Sequence, residues 1–89
     1  MTQYRIRFSD RAQSEDLPKI DVFVRKSIAI AIEEKLTIAP ETFGKPLRHK
    51  MRLLRVLRVG DWRVVFSISG VTVHVLAIRH RKQGYDDFS

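Results

Sequence analysis

Positively charged side chains are concentrated in the second half of this sequence, whose 89 residues include 17 lysines and arginines and 10 acids. Residues 1–44 hold seven basic and seven acidic residues and are therefore neutral. Residues 45–82 hold ten basic residues and one acid, Asp61, which gives this segment a charge of +9. Such a segment is typical of a surface that binds a polyanion, although the solvated sheet face of a small protein can carry the same charges.

The other polar residues narrow the chemistry open to this basic segment. The sequence has no cysteine, and His49, His74 and His80 are not at the spacing of metal ligands. It also lacks the glycine-rich motifs that hold nucleotide phosphates, so we expect neither a metal nor a cofactor. Cations and a few proton-carrying groups remain. They suit the attack of an RNA 2′-OH on its adjacent phosphate, because arginines and lysines stabilise the highly charged phosphorane.

The first half of the chain has the pattern of one strand followed by two helices. Tyr4–Phe8 alternates apolar and basic residues, which predicts a half-buried strand. Residues 9–10 offer N-cap oxygens for a short helix that should end at about Leu17, because a proline follows. A second helix should begin within residues 18–21 and end around residues 36–38, with one apolar face along its length.

After a proline- and glycine-containing connector at Ala39–Pro46, the hydrophobic period changes from that of a helix to that of a strand. Two short turns separate three predicted strands, which favours an antiparallel meander. The expected fold is a single α+β domain over residues 1–89, ordered β-α-α-β-β-β, with a twisted, mainly antiparallel sheet and an N-terminal helical hairpin packed on one face. The predicted strands are Arg52–Val59, Trp62–Ile68 and Val71–Ile78, and the turns are Gly60–Asp61 and Ser69–Gly70.

Several short motifs occur in a characteristic order along nearly the whole chain. The most distinctive reads Leu-Arg-Val-Gly-Asp-Trp-Arg-Val and lies within Leu57–Phe66. The others are Tyr4–Ser9, Asp16–Ile20, Glu33–Leu36, Phe43–Leu47 and Ala77–Lys82, the last followed by Tyr85. Together these motifs resemble the RelE/ParE superfamily of bacterial type II toxin–antitoxin toxins.

The resemblance implies a growth-arresting toxin that cleaves mRNA in the ribosomal A site, without a metal, through 2′-OH attack. It assigns Arg63 to stabilising the phosphorane, and Arg81 to contacting the scissile phosphate or protonating the leaving 5′ oxygen. It assigns Tyr85 to orienting the substrate, stacking on it or transferring a proton. The basic approach to mRNA and ribosomal RNA would comprise Lys50, Arg52, Arg55, Arg58 and Lys82.

The sequence departs from the family at the general base. RelE itself carries two lysines, spaced i and i+2, on the strand before the hairpin, and one of them is a candidate base. Counted back from Arg58, these positions hold Leu54 and Val56. His80 is the natural substitute, because imidazole titrates near neutral pH, and Lys50 is the second choice.

The alternative function on the same fold is that of a ParE-type inhibitor of DNA gyrase, which binds its target and cleaves no RNA. The resemblance also implies a cognate antitoxin, a small acidic RelB-like protein, and a toxin–antitoxin complex that binds its own operator DNA. For the nuclease, the ribosome and mRNA are further partners. We expect a cytoplasmic location and no membrane contact, because no apolar run could span a bilayer and the N-terminus lacks the apolar region of a signal peptide.

Overall fold

In the computed structural model, which describes residues 2–47 and 53–84, five strands form one mixed sheet in the order β1-β5-β4-β3-β2. This is the expected α+β class. The two-residue β2 lies in the segment predicted as a connector, at the edge of the sheet, where a proline is tolerated. The strands are β1 (Arg5–Phe8), β2 (Lys45–Pro46), β3 (Arg55–Val59), β4 (Trp62–Ser69) and β5 (Thr72–His80).

Helical segments occupy the chain between β1 and β2. A π-helical turn at Ala12–Asp16 and a 3₁₀ turn at Leu17–Lys19 form the first arm of a helical hairpin. The second arm is α1 (Val22–Ala31), continued by a π-helical turn at Ile32–Leu36. The short α2 (Pro40–Phe43) also lies in the predicted connector, and its proline occupies the first helical turn, where no N–H partner is needed.

Side-chain caps start both arms of the hairpin. The Ser9 hydroxyl accepts a hydrogen bond from the Ala12 N–H at 3.1 Å, so Ser9 caps the helical residues 10–11 that lead into the first arm. The Asp21 carboxylate accepts a hydrogen bond from the Phe23 N–H at 3.0 Å. Each cap satisfies a backbone donor that the helix itself leaves unpaired. The predicted helical hairpin is therefore confirmed, with its starts set by these two residues.

The predicted meander of β3, β4 and β5 is confirmed, since both of its pairings are antiparallel. Gly60 and Gly70 in the two turns have φ of +59° and +60°, a region that glycine enters without steric cost. The second turn lies one residue later than predicted, because Ser69 still pairs with Thr72. The first strand, β1, pairs in parallel with β5. The helical hairpin carries the chain from β1 to β2 at the far edge of the sheet, and the meander then returns it to β5 beside β1.

The main core lies between the helices and one face of the sheet, which we call the helix-covered face. Its residues from the helical hairpin and the link between its arms are Ala12, Ile20, Ile28, Ile32 and Leu36, and its strand residues are Leu57, Val64, Phe66, Val73, Val75 and Ile78. A smaller cluster occupies the opposite face, where Val56, Val65 and Ala77 pack with Leu47 and Leu54. The period-2 alternation of β3, β4 and β5 therefore supplies two separate apolar surfaces.

Beyond the end of β1, side chains form hydrogen bonds with the backbone groups along the edge of β5. The Ser9 hydroxyl donates a hydrogen bond to the Leu76 carbonyl oxygen at 2.8 Å. The Asp16 carboxylate accepts a hydrogen bond from the Ile78 N–H at 2.9 Å. Unpaired strand edges recruit other chains, and these bonds remove that hazard. Across residues 2–47 and 53–84, the helices are too short or too polar to cross a bilayer.

Candidate nucleic-acid interface

Three arginines cross the opposite face of the sheet in direct register. Arg58 on β3 pairs with Arg63 on β4, and Arg63 pairs with Arg79 on β5. Directly paired residues project from the same face of a sheet, so the three side chains form one row. We call Arg58, Arg63 and Arg79 the arginine row.

The arginine row opposes stability. Like charges placed directly opposite each other across strands are destabilising, on the scale of about 0.2–1 kcal/mol per pair. Arg58 and Arg63, which are directly opposite each other, form such a pair. An anion bound over the row relieves this repulsion. The arrangement is therefore typical of a phosphate-binding surface.

The backbone of the β3–β4 turn holds the central member of the row. Arg63 donates hydrogen bonds from Nη1 to the carbonyl oxygens of Gly60 at 2.9 Å and Trp62 at 3.0 Å. These bonds use one guanidinium nitrogen. Within residues 2–47 and 53–84, no partner engages the other Nη or Nε of Arg63. The guanidinium is therefore positioned, with donors left for a ligand.

The outer members of the row differ in burial. The side chain of Arg58 on β3 is exposed, whereas that of Arg79 on β5 is only 7% exposed. The Nη1 of Arg79 donates a hydrogen bond to the Gly84 carbonyl oxygen. Arg79 thus connects the row to the segment that follows β5.

The β3–β4 turn and the end of β5 meet beside the row. The Arg81 N–H donates a hydrogen bond to the Asp61 carbonyl oxygen at 2.7 Å, and its Nε lies 3.6 Å from Asp61 Oδ1. Both side chains are more than half exposed, so this ion pair contributes little to stability. Arg81 can therefore exchange the carboxylate for a phosphate at small cost.

His80 lies on the helix-covered side of the same end of the sheet, paired with Trp62. The two rings meet edge to face, with centroids 5.3 Å apart and an interplanar angle of 87°. Trp62 also packs against the main core, so it fixes one side of the imidazole. Beyond the strand, the Lys82 N–H donates a hydrogen bond to His80 Nδ1 at 3.2 Å.

The structure brings five of the residues predicted from sequence to this end of the sheet: Arg58, Arg63, His80, Arg81 and Lys82. It places Arg55 elsewhere. Arg55 pairs with Phe66, and its Nη1 donates to the carbonyl oxygens of Gly44 at 2.9 Å and Glu41 at 3.3 Å. Its side chain thus ties β3 to α2. The predicted residues Lys50, Arg52 and Tyr85 lie outside the described ranges.

Arg79 is the member of the row that sequence reasoning missed. The third predicted strand ended at Ile78, and β5 continues to His80. The extension matters because it places Arg79 directly opposite Arg63. The pairing of Arg58 with Arg63 could be counted across the two-residue turn. The same count across the second turn leads to Ile78 as the partner of Arg63, because the register shifts by one residue between Val65 and Phe66.

The described ranges contain no group of three or more histidine, cysteine or acidic side chains placed to hold a metal ion. Among these residues, the groups at this end of the sheet are guanidinium donors, the Lys82 ammonium, one imidazole and one carboxylate. Such a set can bind and polarise a phosphate and can exchange protons.

Comparison with known sequences relates the chain to one family. The family described as ParE toxin of type II toxin–antitoxin system, parDE, matches residues 6–85. The match includes every described member of the candidate interface. No curated protein matches the sequence significantly.

Solved structures with the same fold include toxin–antitoxin complexes. The RelBE2 complex from Mycobacterium tuberculosis matches with 28% identity and a TM-score of 0.84, over 93% of this chain and 97% of the other. The RelB–RelE complex from Methanococcus jannaschii matches with 25% identity and a TM-score of 0.66, over 92% and 98%. A mutant of Escherichia coli toxin RelE, bound to an antitoxin RelBc peptide, matches with 22% identity and a TM-score of 0.70, over 99% and 92%. At that identity the last match shows the fold alone.

Proposed function

The chain belongs to the ParE toxin family of type II toxin–antitoxin systems, and from this premise we propose that it is a ribosome-dependent mRNA endoribonuclease. The observation that carries the proposal is the arginine row, in which three guanidinium groups share one sheet face in register. A single phosphorane carries more negative charge than the phosphodiester it comes from. Donors already in place therefore stabilise the transition state more than the ground state.

In the proposed reaction, the RNA 2′ oxygen attacks the adjacent phosphorus, and the bond from phosphorus to the 5′ oxygen breaks. The proton of the 2′-OH goes to a base, and another proton reaches the leaving 5′ oxygen. Arg63 stabilises the phosphorane, since two backbone carbonyls hold its guanidinium. Arg81 releases Asp61 and contacts the scissile phosphate. Arg58 and Lys82 hold the flanking backbone, and Tyr85 orients the substrate.

The alternative is a ParE-type inhibitor of DNA gyrase, and one observation favours it. The two positions that carry lysines in RelE itself are occupied here by Leu54 and Val56, which pack in the apolar cluster of the opposite face. A lysine at Val56, which is 8% exposed, would place an ammonium group in that cluster. The nuclease must therefore find its base elsewhere, in His80 or Lys50, whereas a gyrase inhibitor needs none.

Two assays with purified protein distinguish the nuclease from the gyrase inhibitor. Primer extension on mRNA with programmed ribosomes should reveal cuts in the A site, which depend on ribosomes and persist in a chelator. A parallel reaction with DNA gyrase should show no accumulation of gyrase–DNA cleavage complexes. Intact mRNA together with accumulated cleavage complexes would replace the nuclease with the gyrase inhibitor.

We also propose a cognate acidic antitoxin, whose complex with this toxin binds operator DNA. An apolar groove of about 290 Å³ between the helices and β5 offers a binding surface. Val22, Ile28 and Ile32 line it together with two cations, Arg25 and Lys26. An antitoxin segment that combines apolar and acidic residues matches this lining. The toxins of the Mycobacterium and Methanococcus structures are likewise seen in complexes with antitoxins.

A matched pair of substitutions tests this surface. Val22 in the groove is 45% exposed and Val71 in the β4–β5 turn is 51% exposed. Val22→Glu should weaken binding of the antitoxin at least tenfold in calorimetry, because it places a carboxylate against an apolar, acidic segment. Val71→Glu should leave the affinity unchanged. Equal effects of the two changes would remove the groove from the interface.

A further inference from the structure

A bulge in β5 changes which of its residues share a face with the arginine row. Arg63 and Ser67 of β4 are four residues apart, so alternation directs both side chains to the opposite face of the sheet. Their partners on β5, Arg79 and His74, are five residues apart because the pairing passes over Leu76. A regular strand would direct residues five apart to different faces. The bulge therefore brings His74 onto the face that carries the arginine row.

Arg7 on β1 extends this arrangement to the edge of the sheet. It pairs with His74 across the parallel ladder, so both side chains project from the opposite face. The Arg7 side chain is exposed and that of His74 is half-buried. Since a strand rises about 3.3 Å per residue, His74 lies roughly 15 Å along β5 from the arginine row. The opposite face thus has basic side chains at two separate places.

Arg7 and His74 line an open cavity of about 390 Å³, which we call the β1 cavity. Ser9, Asp10 and Leu76 also line it. The Ser9 hydroxyl donates a hydrogen bond to the Leu76 carbonyl oxygen, which ties the bulge to the end of β1. Among residues 2–47 and 53–84, no hydrogen bond or ion pair engages the side chains of Arg7 and His74. Their donors are therefore available to a ligand.

The β1 cavity combines two groups that bind an anion with one that repels it. The guanidinium of Arg7 presents its N–H donors in a planar fork that matches a phosphate, and His74 donates an N–H in either protonation state. Asp10 is the acid. The location favours a nucleic acid over an acidic protein as the source of the anion. The cavity shares its face and strand β5 with the arginine row, whereas the groove proposed for the antitoxin lies beside the helices.

We infer that Arg7 and His74 bind a second phosphate of the RNA strand whose scissile phosphate lies over the arginine row. The inference rests on the proposed nuclease function and extends its substrate-binding surface. A phosphate held roughly 15 Å from the reacting bond fixes the position of the strand and takes no part in bond breaking. It binds equally well in the ground state and the transition state, so its loss should weaken binding and leave kcat unchanged.

Binding of an uncleavable RNA tests the β1 cavity. A 2′-O-methyl octanucleotide lacks the attacking hydroxyl, and fluorescence anisotropy gives its affinity over a series of salt concentrations. Arg7→Ala should lower the slope of log affinity against log salt by about 1, because one phosphate contact is lost. Arg5→Ala is the matched control, since Arg5 is also exposed on β1 and does not line the cavity. Equal changes of slope in both variants would overturn the inference.

Two further substitutions should change the affinity for this RNA in opposite directions. Asp10→Asn removes the acid and should tighten binding about twofold to fivefold, because it removes a repulsion from the phosphate. His74→Ala removes a donor and should weaken binding about threefold to tenfold. Weaker binding by Asp10→Asn, or an unchanged affinity in His74→Ala, would contradict a phosphate in the cavity.

Cleavage kinetics separates the second phosphate site from the nuclease proposal. On programmed ribosomes, Arg7→Ala should raise KM about threefold to tenfold and leave kcat unchanged. A-site cleavage with the wild-type KM and salt slope in Arg7→Ala would reject the site and leave the nuclease intact. A wild type whose RNA binding depends on Arg7 but that cuts no mRNA would reject the nuclease and leave the site intact. Loss of antitoxin binding alone in Arg7→Ala would assign the cavity to an acidic protein and overturn the inference.

Discussion

Two rows of side chains cross the same three strands one residue apart, and they have opposite properties. Leu57, Val64 and Ile78 form a row on the helix-covered face and are at most 3% exposed. The neighbouring arginine row lies on the opposite face. Successive side chains of a strand point to opposite faces. The two rows therefore lie on the same strands but in different surroundings. The apolar row can therefore stabilise the sheet while the arginine row carries charges that oppose folding.

A small sheet can carry an unfavourable row of like charges when the apolar row beside it stabilises the fold. The helices bury the apolar row, and this burial maintains the register that aligns the arginines. The repulsion within the arginine row costs a small part of that stabilisation. Substitutions in the two rows should consequently separate into changes of stability and changes of activity.

The largest effect should follow truncation in the apolar row. Ile78→Ala should lower the free energy of unfolding by about 2–5 kcal/mol, because it leaves a cavity beneath the helices. Urea titration followed by circular dichroism measures this change. The matched control is Ile30→Ala, at an isoleucine on α1 that is 55% exposed, and its cost should stay below about 0.5 kcal/mol. Similar costs for both would contradict the assignment of Ile78 to the core.

Truncation in the arginine row should act on activity. Arg63→Ala should reduce cleavage about 10²–10³-fold, as expected for the loss of a positioned oxyanion donor, and should relieve growth arrest. Its unfolding free energy should stay within about 0.5 kcal/mol of the wild type, because relief of the repulsion with Arg58 offsets the loss of the two hydrogen bonds from Nη1. Arg5→Ala, at an exposed arginine on β1, is the control. A toxic Arg63→Ala protein would argue against the central role of the row.

The closed edge of β5 should be the next most sensitive feature. Asp16→Ala removes the acceptor of the Ile78 N–H and should cost about 1–3 kcal/mol, the penalty for an unsatisfied, partly buried donor. Native-state hydrogen exchange should show faster exchange at the Ile78 amide. Asp10→Ala, at an exposed aspartate, should alter neither quantity. Unchanged exchange in Asp16→Ala would show that the carboxylate does not protect this edge.

The smallest effects should distinguish two arginines of the same strand. Arg58→Ala should reduce the slope of log affinity against log salt for RNA by about 1, because one phosphate contact is lost. Arg55→Ala should leave that slope unchanged and should lower the unfolding free energy by about 1 kcal/mol, because Arg55 donates to Glu41 and Gly44. A reduced slope for both variants would place Arg55 at the RNA surface as well.

Arg58 and Arg63, on either side of the β3–β4 turn, show how much of the interface could be predicted from the sequence. Gly60–Asp61 is a two-residue turn, so the pairing of Arg58 with Arg63 follows from counting outward along strands whose periodicity was evident. The helical hairpin and the basic half of the chain followed from periodicity and composition in the same way. Arg55 is different. It lies three residues from Arg58, an odd number, which alternation places on the other face, yet its bonds to α2 depend on a helix that the sequence did not suggest.

The sequence by itself determined the fold class, the distribution of charge and most members of the interface, because these depend on residue types and local period. Only the tertiary structure decided the parallel pairing of β1 with β5, the inclusion of Arg79 and the orientation of His80. Each of these depends on contacts between segments far apart in the chain or on the path of a turn. The Nδ1 of His80 accepts its hydrogen bond because the chain turns back after β5, and no local preference of a histidine specifies that geometry.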